Sequence, residues 1–196
     1  MEIPSLSGPR LLLRPWRDED LESFVALSAD PEVMRHYPAP LSRAESLASW
    51  GRLHAHFAAH RFGPWAVELP GTPEPLGFVG IMRPHFTAHF TSPEQPCVEL
   101  LWRLHRASWG HGYATEGARL ATAHAFDVVG VNELVAFTVP ANSRSRAVMH
   151  RLGMTHDPRD DFDHPGLPAG HPLQRHVLYR LSRSRFQAQE NGSTPR

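Results

Sequence analysis

The chain contains no lysine. Its 20 basic residues are all arginine, and 20 Asp plus Glu balance them to a formal net charge of zero over 196 residues. Without lysine there is no P-loop, whose Gly-Lys-Ser/Thr end grips nucleotide phosphates. Zero net charge gives no global reason to expect a nucleic acid or an anionic membrane surface as partner. Cysteine is nearly absent: Cys97 stands alone. That excludes a disulfide framework and suits a reducing cytoplasm, the expected location. Cys97 abuts an apolar run and reads as a small structural hydrophobe rather than a nucleophile. No apolar run approaches the roughly 18 residues of a membrane span. No basic segment followed by an apolar one opens the chain, so no secretory signal is expected. Neither a G-x-S-x-G elbow nor an H-E-x-x-H motif occurs. Among the 14 histidines, His56/His60, His85/His89 and His164/His171/His176 recur in groups. None has a further ligand at metal-site spacing, so no metal is expected.

What is there is enough apolar sequence, 41% of residues, for one sizeable core. Strands are predicted over 10–16, 65–69, 76–82, 98–104, 134–139 and 175–181. Asp18 is the expected cap of a helix to Ala29. Ser42 and Glu45 form a capping box for a second helix, with Leu47, Trp50, Leu53 and Phe57 along one stripe. A third helix, about 114–129, places Ala114, Ala118, Ala121, Ala125 and Val128 on one face. A short fourth runs from Ser143 to Leu152, with Gly153 past its end. The loop 83–96 resists assignment, 157–172 reads as loop, and the tail 183–196 reads as disordered. No internal repeat or second domain is evident.

The most informative stretch is Cys97 to Thr115. An apolar run leads into a turn with Gly110 and Gly112, and a helix follows. Glycine lets the backbone approach closely, and the first-turn N–H groups of a helix have no intrahelical acceptor. Strand, glycine turn and helix start therefore make an anion site suited to a phosphorylated cofactor. A dinucleotide site fits poorly. Too little alternating strand–helix pattern precedes the loop, and Glu133 lies at the start of the next strand rather than its end. From Arg103 to Arg151, six arginines (103, 106, 119, 144, 146, 151) face only Glu116, Asp127 and Glu133. That excess suits a polyanion, although solvated arginine faces would look the same.

From about Arg10 to Leu181 the chain resembles the GNAT superfamily of N-acetyltransferases. The resemblance is carried by LLLRPWRDEDLE (11–22), GFVGI (77–81), VELLWRLHRASWGHGYATEG (98–117) and NSRSRAVMHRLGM (142–154). Within the superfamily it is similar to the ribosomal-protein N-terminal acetyltransferases, the RimJ/RimL-like proteins of bacteria. The family's loop, Q/R-x-x-G-x-G/A, is matched at Gly112 and Ala114, while Trp109 replaces the usual Gln or Arg. The resemblance implies a single α/β domain of mixed α+β character over 9–182. Its twisted mixed sheet would have splayed central strands flanked by helices.

The resemblance also implies acetyl-CoA as co-substrate and a primary amine, on a protein N-terminus or a small molecule, as acceptor. A homodimer is left open. The main chain of Trp102, Arg103 and Leu104 would carry the pantetheine arm, whose amides replace the sheet partners lost at the splay. The pyrophosphate would sit on Trp109, Gly110, His111, Gly112, Tyr113, Ala114 and Thr115. Asn142 would bond the cofactor, or simply cap the fourth helix. Ser145 stands where this branch has a small hydroxyl near the sulfur. The tyrosine acid common elsewhere in the superfamily is missing, so Ser145, a water or no acid serves. Glu99, the only carboxylate on its strand, resembles a catalytic or substrate-orienting Glu of the family: it is the base that neutralises the amine or a ligand of that amine, or else a structural ion pair. Asp160, Asp161 and Asp163 either attract a cationic acceptor or form an ordinary solvated loop. Trp109 and the missing tyrosine also leave open a second class: an acyl-CoA-binding regulatory module without turnover.

Overall fold

A computed structural model describes residues 3–91 and 97–192; the rest of the loop predicted over 83–96 and of the tail lies outside them. Contacts gather the chain into two units, residues 1–82 with 101–122, and residues 83–100 with 123–196.

In the first unit, β1 (Leu6–Ser7), β2 (Leu12–Arg14), β3 (Pro64–Glu68) and β4 (Gly77–Met82) pair antiparallel in chain order. The last four residues of β5 (Glu99–Leu104) follow β4. Alternation sends Phe78 and Val79 to opposite faces of β4. On one face, α1 (Leu21–Ala29) stacks Phe24 on Phe78 with ring centroids 6.3 Å apart. Trp16 and Trp50 of α2 (Arg43–His60) complete that aromatic cluster. On the other face, α3 (Tyr113–His124) brings Gly117 so close that a Cβ there would lie 3.2 Å from Val79 Cγ2. The predicted Ser42–Glu45 box closes α2 reciprocally. Asp18 does not cap α1. It opens a 3-10 turn, and the Asp20 carboxylate accepts the Arg17 N–H at 2.8 Å instead.

In the second unit β6 (Glu133–Thr138) is parallel to β5 at Glu99↔Val135 and antiparallel to β9 (Arg175–Ser182) along its length. α4 (Ser143–Arg151) lies between them in sequence. β7 (Thr155–His156) and β8 (Phe162–Asp163) both pair with β9, and β8 gives strand structure inside the segment 157–172 that composition reads as loop. The third helix departs from its predicted face at its end. Ala118, Ala121 and Ala125 are buried, but residues 125–129 form a π turn closed by Gly130 N–H on Ala125 O. The wider turn rotates Phe126 inward and leaves Val128 70% exposed. The tail also departs from expectation: α5 (Arg183–Gly192) is helical over the described residues. Phe186 reaches Phe126 at 5.4 Å, while Arg183 and Arg185 donate to the carbonyls of Val131 and Gly153. One aromatic anchor and two arginines secure a segment whose average composition is polar. A mixed sheet flanked by helices is the fold class that the sequence predicts.

Candidate functional site

The first unit holds the glycine turn. Gly110 and Gly112 both lie in the left-handed region, at φ 81°, where an L side chain is strained. Around Gly112 a Cβ would meet only the Arg10 guanidinium, at 3.5 Å. The first helical bond of α3 runs from Glu116 N–H to Gly112 O at 3.0 Å. The N–H groups of Tyr113, Ala114 and Thr115 precede it and have no intrahelical acceptor.

Arg10, read in the sequence only as the start of a strand, fastens this loop. Its backbone N–H and Nε donate to the two Glu116 carboxylate oxygens at 2.9 and 2.7 Å. Nη1 donates to His111 O at 3.0 Å, and the guanidinium lies 4.9 Å from the Tyr113 ring centroid. Arg10 thus neutralises the one acid in the first turn of α3. Left unpaired, that charge would repel a phosphate. Trp109, in place of Gln or Arg, donates its indole N–H to Leu104 O at 2.8 Å and ties the turn to the end of β5. His111 stacks on Tyr113. Leu104 is buried, whereas the Arg103 side chain turns to the α1 face, over Phe78.

The second unit holds Glu99, Asn142 and Ser145. Registered strand neighbours share a face, so Glu99 projects with Val135 and Phe137. That face carries Phe86, Phe90 and Phe162. Burial pushes the Glu99 carboxyl up to about 8. It has no ion-pair or hydrogen-bond partner among the described residues. His164 and His176 join the same aromatic wall, with ring centroids 5.2 Å apart. Burial lowers both pKa values, which keeps the rings neutral near pH 7. Cys97 packs there too, and burial raises its thiol to about 12, far from a nucleophile's range.

Asn142 and Ser145 lie on the opposite face of β6. Asn142 Nδ2 donates to Thr138 Oγ1 at 2.9 Å, and its Oδ1 accepts the Ser145 N–H at 3.2 Å. Asn142 is therefore the cap. Ser145 contributes its main chain, and its hydroxyl makes no hydrogen bond among the described residues. Arg146 does not face outward as a free charge, because it donates to Tyr179 Oη and Pro140 O. The acidic loop is likewise committed internally. Asp160 pairs with Arg180, Asp161 with His156 at 2.7 Å, and Asp163 with Arg175. Neither an attracting cluster nor a freely solvated loop describes these acids.

One unit thus holds a glycine turn that opens a helix, and the other a half-buried carboxyl with no partner among the described residues. The model of the acetyltransferase (GNAT) domain matches residues 10–155, and the chain belongs to that family. Over 98% of this chain and 82% of the relative it is 29% identical to an Aspergillus fumigatus protein named FsC-acetyl coenzyme A-N(2)-transacetylase. It is similar to the solved acetyltransferase of Agrobacterium tumefaciens, with 27% identity, a TM-score of 0.73, and coverage of 93% of this chain and 96% of that one. A Vibrio cholerae structure assigned as a ribosomal-protein-serine acetyltransferase shares the fold at 16% identity and a TM-score of 0.72, over 93% of this chain and 99% of that one. The protein is accordingly an N-acetyltransferase enzyme, and its family uses acetyl-CoA.

Proposed function

We propose that the protein, through an acetyltransferase domain over 9–182, moves an acetyl group to the primary amine of a protein N-terminus or small molecule by direct attack in a ternary complex. The observation that carries this reading is the arrangement of β6. Glu99 stands on one face with no partner among the described residues, while the Asn142–Ser145 turn stands on the other. The name of the Aspergillus relative supports nitrogen as the accepting atom.

When bound, acetyl-CoA supplies an activated carbonyl. The left-handed glycines and the free N–H groups from Gly110 to Thr115 fit its pyrophosphate, and the main chain of 102–104 fits its amide-bearing arm. Glu99 would take the ammonium proton, so that the nitrogen lone pair can attack as the carbon–sulfur bond breaks, and the second proton that the nitrogen then sheds ends on the departing thiolate. A main-chain N–H of β5 stabilises the developing oxyanion. The Ser145 hydroxyl, unoccupied by any cap, donates to the departing sulfur. A silent regulatory module would bind acetyl-CoA and release no thiol with any amine, which a panel of peptides and small amines tests directly.

The loop is tested by Gly112→Asp. Aspartate tolerates the left-handed region better than most residues, so the strain at φ 81° should lower the melting temperature by only a few degrees and leave the fold intact. Acetyl-CoA affinity should fall at least tenfold, about 1.4 kcal/mol, when measured by calorimetry. Unchanged affinity would remove this loop from the site. For Ser145→Ala, stability should be unchanged, because Asn142 provides the cap. Turnover should fall roughly 10- to 100-fold, a modest loss because a thiolate leaves readily and water can substitute. A lowered melting point with kcat preserved would end the catalytic role.

A further inference from the structure

The half-buried side chain of Arg103 has no carboxylate partner among the described residues of its unit. There, Arg14 pairs with Asp20, Arg10 with Glu116 and Arg43 with Glu22. Arg103 instead lies over two rings, its guanidinium carbon 4.4 Å from the Tyr37 centroid and 5.2 Å from that of Phe78. Of its five donors, one reaches a side chain: Nη1 to Ser28 Oγ at 3.4 Å. Nε is buried with no hydrogen-bond partner. A guanidinium held this way keeps one buried N–H without an acceptor, a costly arrangement unless an anion completes it. Tyr37, its outer wall, is 42% exposed and leaves an approach from solvent.

That anion cannot be the pyrophosphate on the glycine loop. The loop leads into α3, which packs on the Val79 face, whereas Arg103 packs with Phe78 and α1 on the other. A second anionic group, on a second ligand, is required. One guanidinium beside the last turn of α1 suits a single charge, because a helix C-terminus carries negative dipole and disfavours a dianionic phosphate. We propose that the acceptor is an amine that also bears a carboxylate, as an amino acid does, and that the Arg103 fork binds that carboxylate. The proposal rests on the acetyl-transfer reading above.

The test uses the full-length protein, the amino acids, the same compounds as carboxamides, and their phosphate-bearing analogues. With CoA present, the carboxylate forms should raise the melting temperature and the carboxamides should not. With acetyl-CoA, followed by thiol release, Arg103→Gln should raise KM for carboxylate acceptors at least tenfold. The carboxamide KM should move far less, so that the carboxylate-over-carboxamide preference falls at least tenfold, and Arg103→Lys should recover part of that preference. Acetyl-CoA affinity should hold, because the cofactor uses only the main chain of residue 103. Equal losses for carboxylate and carboxamide, a fall in acetyl-CoA affinity, or a preference for phosphate would each overturn the proposal. So would the absence of stabilisation by any carboxylate amine. Carboxylate binding that depends on Arg103, without turnover of any amine, would overturn the acetyl-transfer reading and the acceptor role with it, and leave the Arg103 fork as a carboxylate site.

Discussion

Glu99→Gln is expected to lower kcat about 100-fold while leaving acetyl-CoA affinity intact. The pH dependence should separate a base from a structural carboxylate. Burial holds Glu99 up at about 8, so the wild-type acceptor kcat/KM should rise about tenfold per pH unit below that value and then level off. The glutamine variant has no such break. Its rate follows the fraction of neutral amine, so the gap should narrow above pH 8. Wild-type rates in the variant at pH 7 would make Glu99 structural. Stability should move the other way. A carboxyl whose folded pKa lies above its unfolded value holds a proton that the unfolded chain releases. Its contribution is complete below the unfolded value of 4.5 and lost as pH rises toward 8. Glutamine stays neutral throughout, so the variant should melt above the wild type by a margin that widens between pH 5 and 8. An inactive variant that is more stable in alkali would show a group kept for chemistry rather than for folding.

The second large effect concerns folding alone. Arg14 and Asp20, 5% and 4% exposed, form a two-pronged pair at 2.6 and 3.0 Å. Burial alone would raise the Asp20 pKa, but hydrogen bonds from Arg14 and the Arg17 N–H outweigh it and hold the carboxyl below its ordinary range. Asp20→Ala strands a buried guanidinium, which typically costs about 3–5 kcal/mol. Glu68 also contacts Arg14, so the lower end of that range is expected. The melting temperature should drop by roughly 10 °C. The double variant Arg14→Met, Asp20→Leu should recover much of the loss, because it leaves no charge stranded. The wild type should also lose this stabilisation in acid, as pH falls through the depressed Asp20 value. A drop of only a degree or two in Asp20→Ala would show that the pair is already reached by solvent.

The sequence made legible what depends on local periodicity and chemistry. The Ser42–Glu45 box, the β4 and β6 runs and the Gly110–Gly112 turn stand close to where pattern places them. The choices that failed needed a distant partner. Asp160, Asp161 and Asp163 read alike in a row of acids, yet each meets a different side chain contributed by β7 or β9: Arg180, His156 and Arg175. Val128 continues a helical stripe on paper, but the π turn before Gly130 carries it outward. The face of Glu99 turns on strand register, which a one-residue slip reverses and which only the pairing with Val135 fixes. Arg10 offered no local cue at all.

That last contact bears on how the binding loop comes to exist. Arg10 and Glu116 are 106 positions apart in the chain. Bringing them together means closing a long stretch of chain, whose entropic cost is met only once the strands and helices between them have formed. The seven residues from Trp109 to Thr115 therefore do not carry their own geometry, and excised as a peptide they would lack the clasp. Cofactor affinity thus doubles as a report on completed folding: a chain arrested before its N-terminal strands dock would hold the motif and bind poorly.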